Sequence, residues 1–206
     1  MSRKLADDVA RRRAAALAGH RGDGPAARSY LDDPAPSVRA TALGALARAG
    51  DLTPDDLVTG LADPAGPVRA RAAELAATLP GDGAPALAPV LGDGDPSVVE
   101  SAAWASGERR PAEPGIVPAL AAVVTGHDDP LCREAAVAAL GAIGDPAGLD
   151  AVLVATTDRP AVRRRAVLAL APFGGPQVDE AIARALTDRD WQVRQAAEDI
   201  ARQGDA

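Results

Sequence analysis

Aromatic residues are nearly missing from this chain. Trp104, Trp191, Tyr30 and Phe173 are the whole set, 2% of 206 residues. A core must therefore be built from Ala, Leu and Val, and little flat surface remains for stacking on bases or sugars. Cysteine occurs once, as Cys132, which excludes an intrachain disulfide. His20 and His127 are the only histidines. They stand far apart and in no H-x-x-x-H pattern, too few ligands for a zinc site. All basic residues except Lys4 are arginine. With the alanine excess, that reads as GC-rich coding bias, not as function. No stretch of about 18 apolar residues exists, and MSRKLADDVA holds no apolar run of signal-peptide length. A soluble, cytoplasmic chain without a membrane partner is expected. The net charge of −7 disfavours non-specific attraction to DNA or anionic membranes. Neither G-x-x-x-x-G-K-[ST] nor G-x-S-x-G occurs.

What the chain has is a phrase of about thirty residues, repeated. Its anchors are Val38, Val68, Val98, Cys132, Val162 and Val193. Four residues after each stands Ala42, Ala72, Ala102, Ala136, Ala166 or Ala197. One residue after the anchor stands Arg39, Arg69, Arg133, Arg163 or Arg194; only Val99 breaks that column. Cys132 occupies a Val column and reads as a small buried hydrophobe. A function tied to one site would not recur in every repeat, so these columns read as architecture.

Within PSVRATALGALARA (36–49), Val38, Ala42, Ala45, Leu46 and Ala49 form one stripe of a 3.6-residue helix. The stripe recurs at Val68, Ala72, Leu75, Ala76 and Leu79, and in the repeats anchored at Cys132 and Val162. Asp95-Pro96 and Asp129-Pro130 place a capping carboxylate before a proline at the first helical position, with Pro36 and Pro160 in the same place. Asp190 caps the helix that opens at Trp191. Gly50, Gly81, Gly144, Gly174 and Gly204 read as helix stops. The stretches PDDLVTGLAD, APALAPVLGD, GIVPALAAVVTG, AGLDAVLVATT and QVDEAIARALTD are each expected to be a first helix packed on the second. Residues 3–20 read as a lone second helix with Ala14 in the Ala column, capping the N-terminal end. The expectation is one domain, 1–206, with repeats near 24–50, 51–80, 81–110, 111–144, 145–174 and 175–204.

Helix pairs of this length, with D-x-x-x-x-V-R-x-x-A-x-x-A-L-G in the second helix, resemble HEAT repeats. The nearest type is the bacterial HEAT-like repeat named after phycobilisome lyases. CREAAVAALGAIGD (132–145) follows that consensus, and VVESAAWASGERR (98–110) follows it with a degraded end. The resemblance runs over about residues 10–204. It implies an all-α, right-handed α-solenoid whose second helices line a concave face. It also implies an Asp–Arg ladder at the turns, running from repeat to repeat. Asp33 with Arg39, Asp63 with Arg69, and Asp188 with Arg194 match it at a separation of six. Asp128 with Arg133 and Asp158 with Arg163 match it one residue shorter. Asp93 faces Val99, so a gap is expected in the third repeat.

Offsets of two, three and six from each anchor are expected to face away from the core. They place Arg71, Glu74, Glu100, Trp104, Glu134, Arg164 and Arg165 on the concave face as candidate contacts, with Trp104 central. Trp191, at a helix start in the last repeat, reads as a cap on the exposed end of the core. Catalysis finds no support. Ser37, Ser97, Ser101 and Ser106 lack a His in the same repeat to activate them. HEAT-type hydroxylases with a di-iron site need His-Glu pairs, and the chain has no His-Glu dipeptide. The Arg11–Arg13 run and the Arg159, Arg163, Arg164, Arg165 run read as solvated helix faces. The leading expectation is a non-catalytic, monomeric scaffold that binds a protein partner and needs no cofactor or metal. The alternatives are a bilin lyase/isomerase-like accessory protein, suggested by the family name, and a weak DNA binder related in architecture to alkylation-repeat glycosylases.

Overall fold

The computed structural model describes residues 3–79 and 83–204, and among them all regular structure is helical. The chain divides into two compact units, residues 1–86 with 93–102, and residues 87–92 with 103–206. The first unit holds α1 (Arg3–His20), α2 (Gly24–Arg28), α3 (Pro36–Ala49), α4 (Pro54–Leu61) and α5 (Gly66–Ala76). It also holds the start of α6 (Pro96–Glu108). Here α1 lies along α3 and α3 along α5, while α2 covers α3 and α4 covers α5. The second unit holds the rest of α6, then α7 (Ile116–Gly126), α8 (Pro130–Ile143), α9 (Leu149–Ala155), α10 (Pro160–Ala169), α11 (Pro176–Ala185) and α12 (Trp191–Gly204). Its second helices pack in series, α8 on α10 and α10 on α12, with α7, α9 and α11 laid against them.

Local chemistry explains the helix starts. Asp129 accepts from the Leu131 N–H at 2.9 Å, and Pro130 occupies the first helical position, where no donor is needed. Thr53 and Asp56 cap α4 reciprocally: the Thr hydroxyl receives the Asp56 N–H and the Asp carboxylate receives the Thr53 N–H. Gly50 and Gly144 end α3 and α8 in the left-handed region, at φ 79° and 69°.

The expected stripes are the core. Val38, Ala42, Ala45 and Leu46 are fully buried in the first unit, as are Val162 and Ala166 in the second. A buried Leu contributes about 2 kcal/mol and an Ala much less, so cohesion depends on close helix approach over many small contacts. Glycines set that distance. A Cβ on Gly141 would lie 2.7 Å from the Ala169 Cα, and one on Gly107 2.9 Å from the Ala139 Cα. Gly19 meets Ala45 in the same way at 2.6 Å.

Several expectations are corrected. The stretch 84–93 forms only a 3-10 run at Ala88–Gly92, because Pro85 and Pro89 remove backbone donors an α-helix would use. In AGLDAVLVATT the helix is shortened to α9 behind a 3-10 turn at Pro146–Gly148. Among the stop glycines, Gly174 is not left-handed; its neighbour Gly175 is, at φ 109°. Gly204 is the last residue of α12, and Gly81 falls outside the described residues. In α1 the fully buried alanine is Ala15, with Ala14 only half-buried. Trp191 is 65% exposed and does not seal the core.

Candidate interaction surfaces

The Asp and Arg columns meet at the turns, but not in the pairs that sequence spacing suggests. Each Arg donates through Nε and one terminal nitrogen to both carboxylate oxygens of the Asp in the next repeat. Arg39 holds Asp63 at 2.8 and 2.7 Å, and Arg69 holds Asp93 at 2.7 and 2.8 Å. In the second unit, Arg133 holds Asp158 at 2.6 and 2.8 Å, and Arg163 holds Asp188 at 3.0 and 2.8 Å. The Asp of the Arg's own repeat contributes only its backbone carbonyl. Arg39 reaches Asp33 O at 2.8 Å, Arg69 reaches Asp63 O at 2.9 Å and Arg163 reaches Asp158 O at 2.8 Å. Every guanidinium is thus fixed on one edge by its own turn and presents the other as a bidentate fork.

Two further corrections follow. Arg11, read from sequence as part of a solvated run, makes the first rung: it donates to Asp33 at 2.7 and 3.3 Å and to Asp8 at 2.7 Å. Asp93, expected to be vacant opposite Val99, is filled by Arg69. The unpaired acid of the column is Asp128, exposed and in no ion pair among the described residues.

These acids also set their turns. Asp33, Asp63, Asp93 and Asp188 each accept, at 2.8 Å, the N–H two residues ahead. Hydrogen bonds from the Arg fork hold Asp33, Asp63, Asp93, Asp158 and Asp188 below the ordinary carboxylate value, and the carboxylates raise Arg39, Arg69, Arg133 and Arg163 in turn. For Asp56, burial pushes the pKa up, but hydrogen bonds from Arg28 and Thr53 outweigh it and the net direction is down.

The seven candidate contacts fall into small groups. In the first unit Arg71 pairs with Glu74 at 2.8 Å, and the Arg71 guanidinium lies over Gly44, where a Cβ would come within 2.7 Å. Glu100 is exposed. In the second unit the Glu134 carboxylate, 19% exposed, stands between two arginines: Arg165 Nε at 3.6 Å and an Arg164 terminal nitrogen at 3.9 Å. Both distances exceed a hydrogen bond; Arg165 Nε is buried without an acceptor, so outward donor capacity rests with the terminal nitrogens. Trp104 is 50% exposed, although Ala102, Ala103 and Ala105 around it are buried. Among the described residues no three His, Cys, Asp or Glu side chains come together as a metal site, and no helix is long and apolar enough to cross a membrane.

The family model for HEAT repeats matches residues 84–159 and 117–201, together more than half of the chain. The chain belongs to the HEAT-repeat family. Solved structures agree on the fold. The E. coli protein YibA superposes with a TM-score of 0.63 at 16% identity, over 96% of this HEAT-repeat chain and 73% of YibA. A designed armadillo repeat protein in complex with the peptide (KR)4 gives 0.62 at 19%, over 86% of this chain and 98% of the design. Human deoxyhypusine hydroxylase gives 0.50 at 25%, over 79% of this chain and 67% of the enzyme. No curated protein matches.

Proposed function

We propose that this HEAT-repeat protein is a non-catalytic scaffold that binds a polypeptide partner along its second helices. Trp104 carries the reading. A large aromatic is held half in solvent on a helix whose neighbouring positions are small and buried, and in a chain with two tryptophans such a side chain is a natural binding anchor. Glu134 with Arg164 and Arg165, in the same unit, supplies charged contacts through guanidinium nitrogens other than the buried Arg165 Nε. The peptide-bound armadillo design is a related fold whose repeats hold a polypeptide. Quantitative partner capture from lysate with the wild type, Trp104→Ala and Arg164→Glu/Arg165→Glu tests the assignment. Loss of the same partner in both variants is expected; equal retention in both would remove these helices from the binding surface. The phycobilisome-lyase type of repeat, cytoplasmic location and monomeric state belong to the same proposal.

A further inference from the structure

Arg194 is set like the other arginines of the ladder but holds no carboxylate among the described residues. Arg194 donates through one terminal nitrogen to Asp188 O at 2.7 Å and to Arg189 O at 3.3 Å. Arg39, Arg69, Arg133 and Arg163 make the same own-turn bonds. In those four, Nε and the second terminal nitrogen grip an Asp carboxylate. For Arg194 that edge meets no acceptor among the described residues. Glu198, one helical turn on, makes no ion pair with it. Trp191, three residues earlier on the same helix, is 65% exposed. The first residue of α12 is this Trp, whereas α3, α5, α6, α8 and α10 begin with Pro36, Gly66, Pro96, Pro130 and Pro160. Trp191, Arg194 and Glu198 are three and four residues apart, on one stripe of α12.

We propose that this stripe is a docking site for a protein segment presenting an aspartate in a turn, with the carboxylate on the Arg194 fork and the adjoining residues against Trp191. The filled rungs supply the template: an Asp whose carboxylate also accepts the N–H two residues ahead, as Asp63 does from Ala65. Charge complementarity selects an acid, and the fixed fork favours a planar carboxylate over a diffuse anion. The stripe shares no residue with Trp104, Glu134, Arg164 and Arg165, so it stands or falls independently of the proposed function.

The test is an NMR titration of the ¹⁵N-labelled full chain with a capped synthetic peptide of residues 54–68, which carries Asp63. Saturable movement of the Arg194 Nε–H and Trp191 indole signals is expected. Binding should be roughly tenfold weaker for the Asp63→Asn peptide, and for Arg194→Gln and Arg194→Lys proteins, since Lys keeps the charge but not the fork. No movement, equal binding of the Asn peptide, or movement centred on Trp104, Arg164 and Arg165 would overturn the proposal. The Asn peptide is tested on wild-type protein, so a poorly folded Arg194 variant does not blunt the result.

Discussion

Asp63→Asn tests the ladder directly. The Asp63 carboxylate accepts three hydrogen bonds, two from Arg39 at 2.8 and 2.7 Å and one from the Ala65 N–H at 2.8 Å. Asparagine keeps the shape and the turn bond. It places an NH₂ against an Arg39 N–H, so one charge-assisted bond is lost, and it leaves a guanidinium only 14% exposed without its counter-charge. A hydrogen bond to a charged group contributes about 1.5–3 kcal/mol, which puts the loss near 2–3 kcal/mol. For a chain of this size that lowers Tm by about 4–12 °C. Thermal melts followed by far-UV circular dichroism at neutral pH measure it, with Asp32→Asn on an exposed neighbour as control, expected within about 0.5 kcal/mol of wild type. The pH dependence adds a second check. The folded-state pKa of Asp63 lies below its ordinary 3.8, so its contribution is complete above that value and fades as pH falls through the depressed one. The two proteins therefore converge in acid. Equal melting of Asp63→Asn and Asp32→Asn at neutral pH would refute the claim that the rungs hold the repeats together.

Other expectations follow from the same packing. Gly141→Val places a Cβ 2.7 Å from the Ala169 backbone, and overpacking of this kind costs about 1–3 kcal/mol, to be read from a urea midpoint; an unchanged midpoint would refute the close approach of α8 and α10. Cys132 is fully buried, so its thiol reacts with Ellman's reagent only at the rate at which the repeat opens; prompt labelling of native protein would contradict this. Acid unfolding of the wild type is expected to set in as pH falls below the ordinary carboxylate range, because the five rung acids all have depressed pKa values; stability that stays flat to lower pH would show that they contribute nothing.

The second helices were legible because burial on a helix is written at a 3.6-residue period: Val38, Ala42 and Leu46 need no long-range information to be read as one face. The two columns of the ladder were legible for the same reason. Its pairing was not. Asp63 and Arg69 stand six apart and look like partners, whereas Arg39 and Asp63 stand 24 apart and meet only when two hairpins stack. The weak first helix at 84–93 was misread because its apolar spacing was weighed above two prolines. Trp191 was misread because its place at the final repeat suggested a lid, while the first position of a helix points a side chain out along the flank. The place of Trp104 off the buried stripe was legible from its helical offset, but its half-exposure was not, because a neighbouring repeat can cover such a position.

The two terminal helices end their units differently, and one residue column shows how. Five residues after the anchor, Leu43, Ala73, Ala103, Val137 and Val167 are at most 2% exposed. In α12 the same column holds Glu198, exposed, followed by Arg202 one turn later. A further hairpin stacked on this flank would bury that carboxylate at a cost of several kcal/mol, so α12 has the polar outer face of a capping repeat. The opposite holds at α1, where Leu5, Val9 and Leu17 remain 52%, 45% and 39% exposed. If Glu198 is what keeps the α12 flank from self-stacking, Glu198→Val with Arg202→Ala should turn it into an adhesive apolar surface. Sedimentation velocity across a concentration series is expected to show more association for the variant than for the wild type at equal concentration. Superimposable profiles would mean that the charge at this column does not govern stacking.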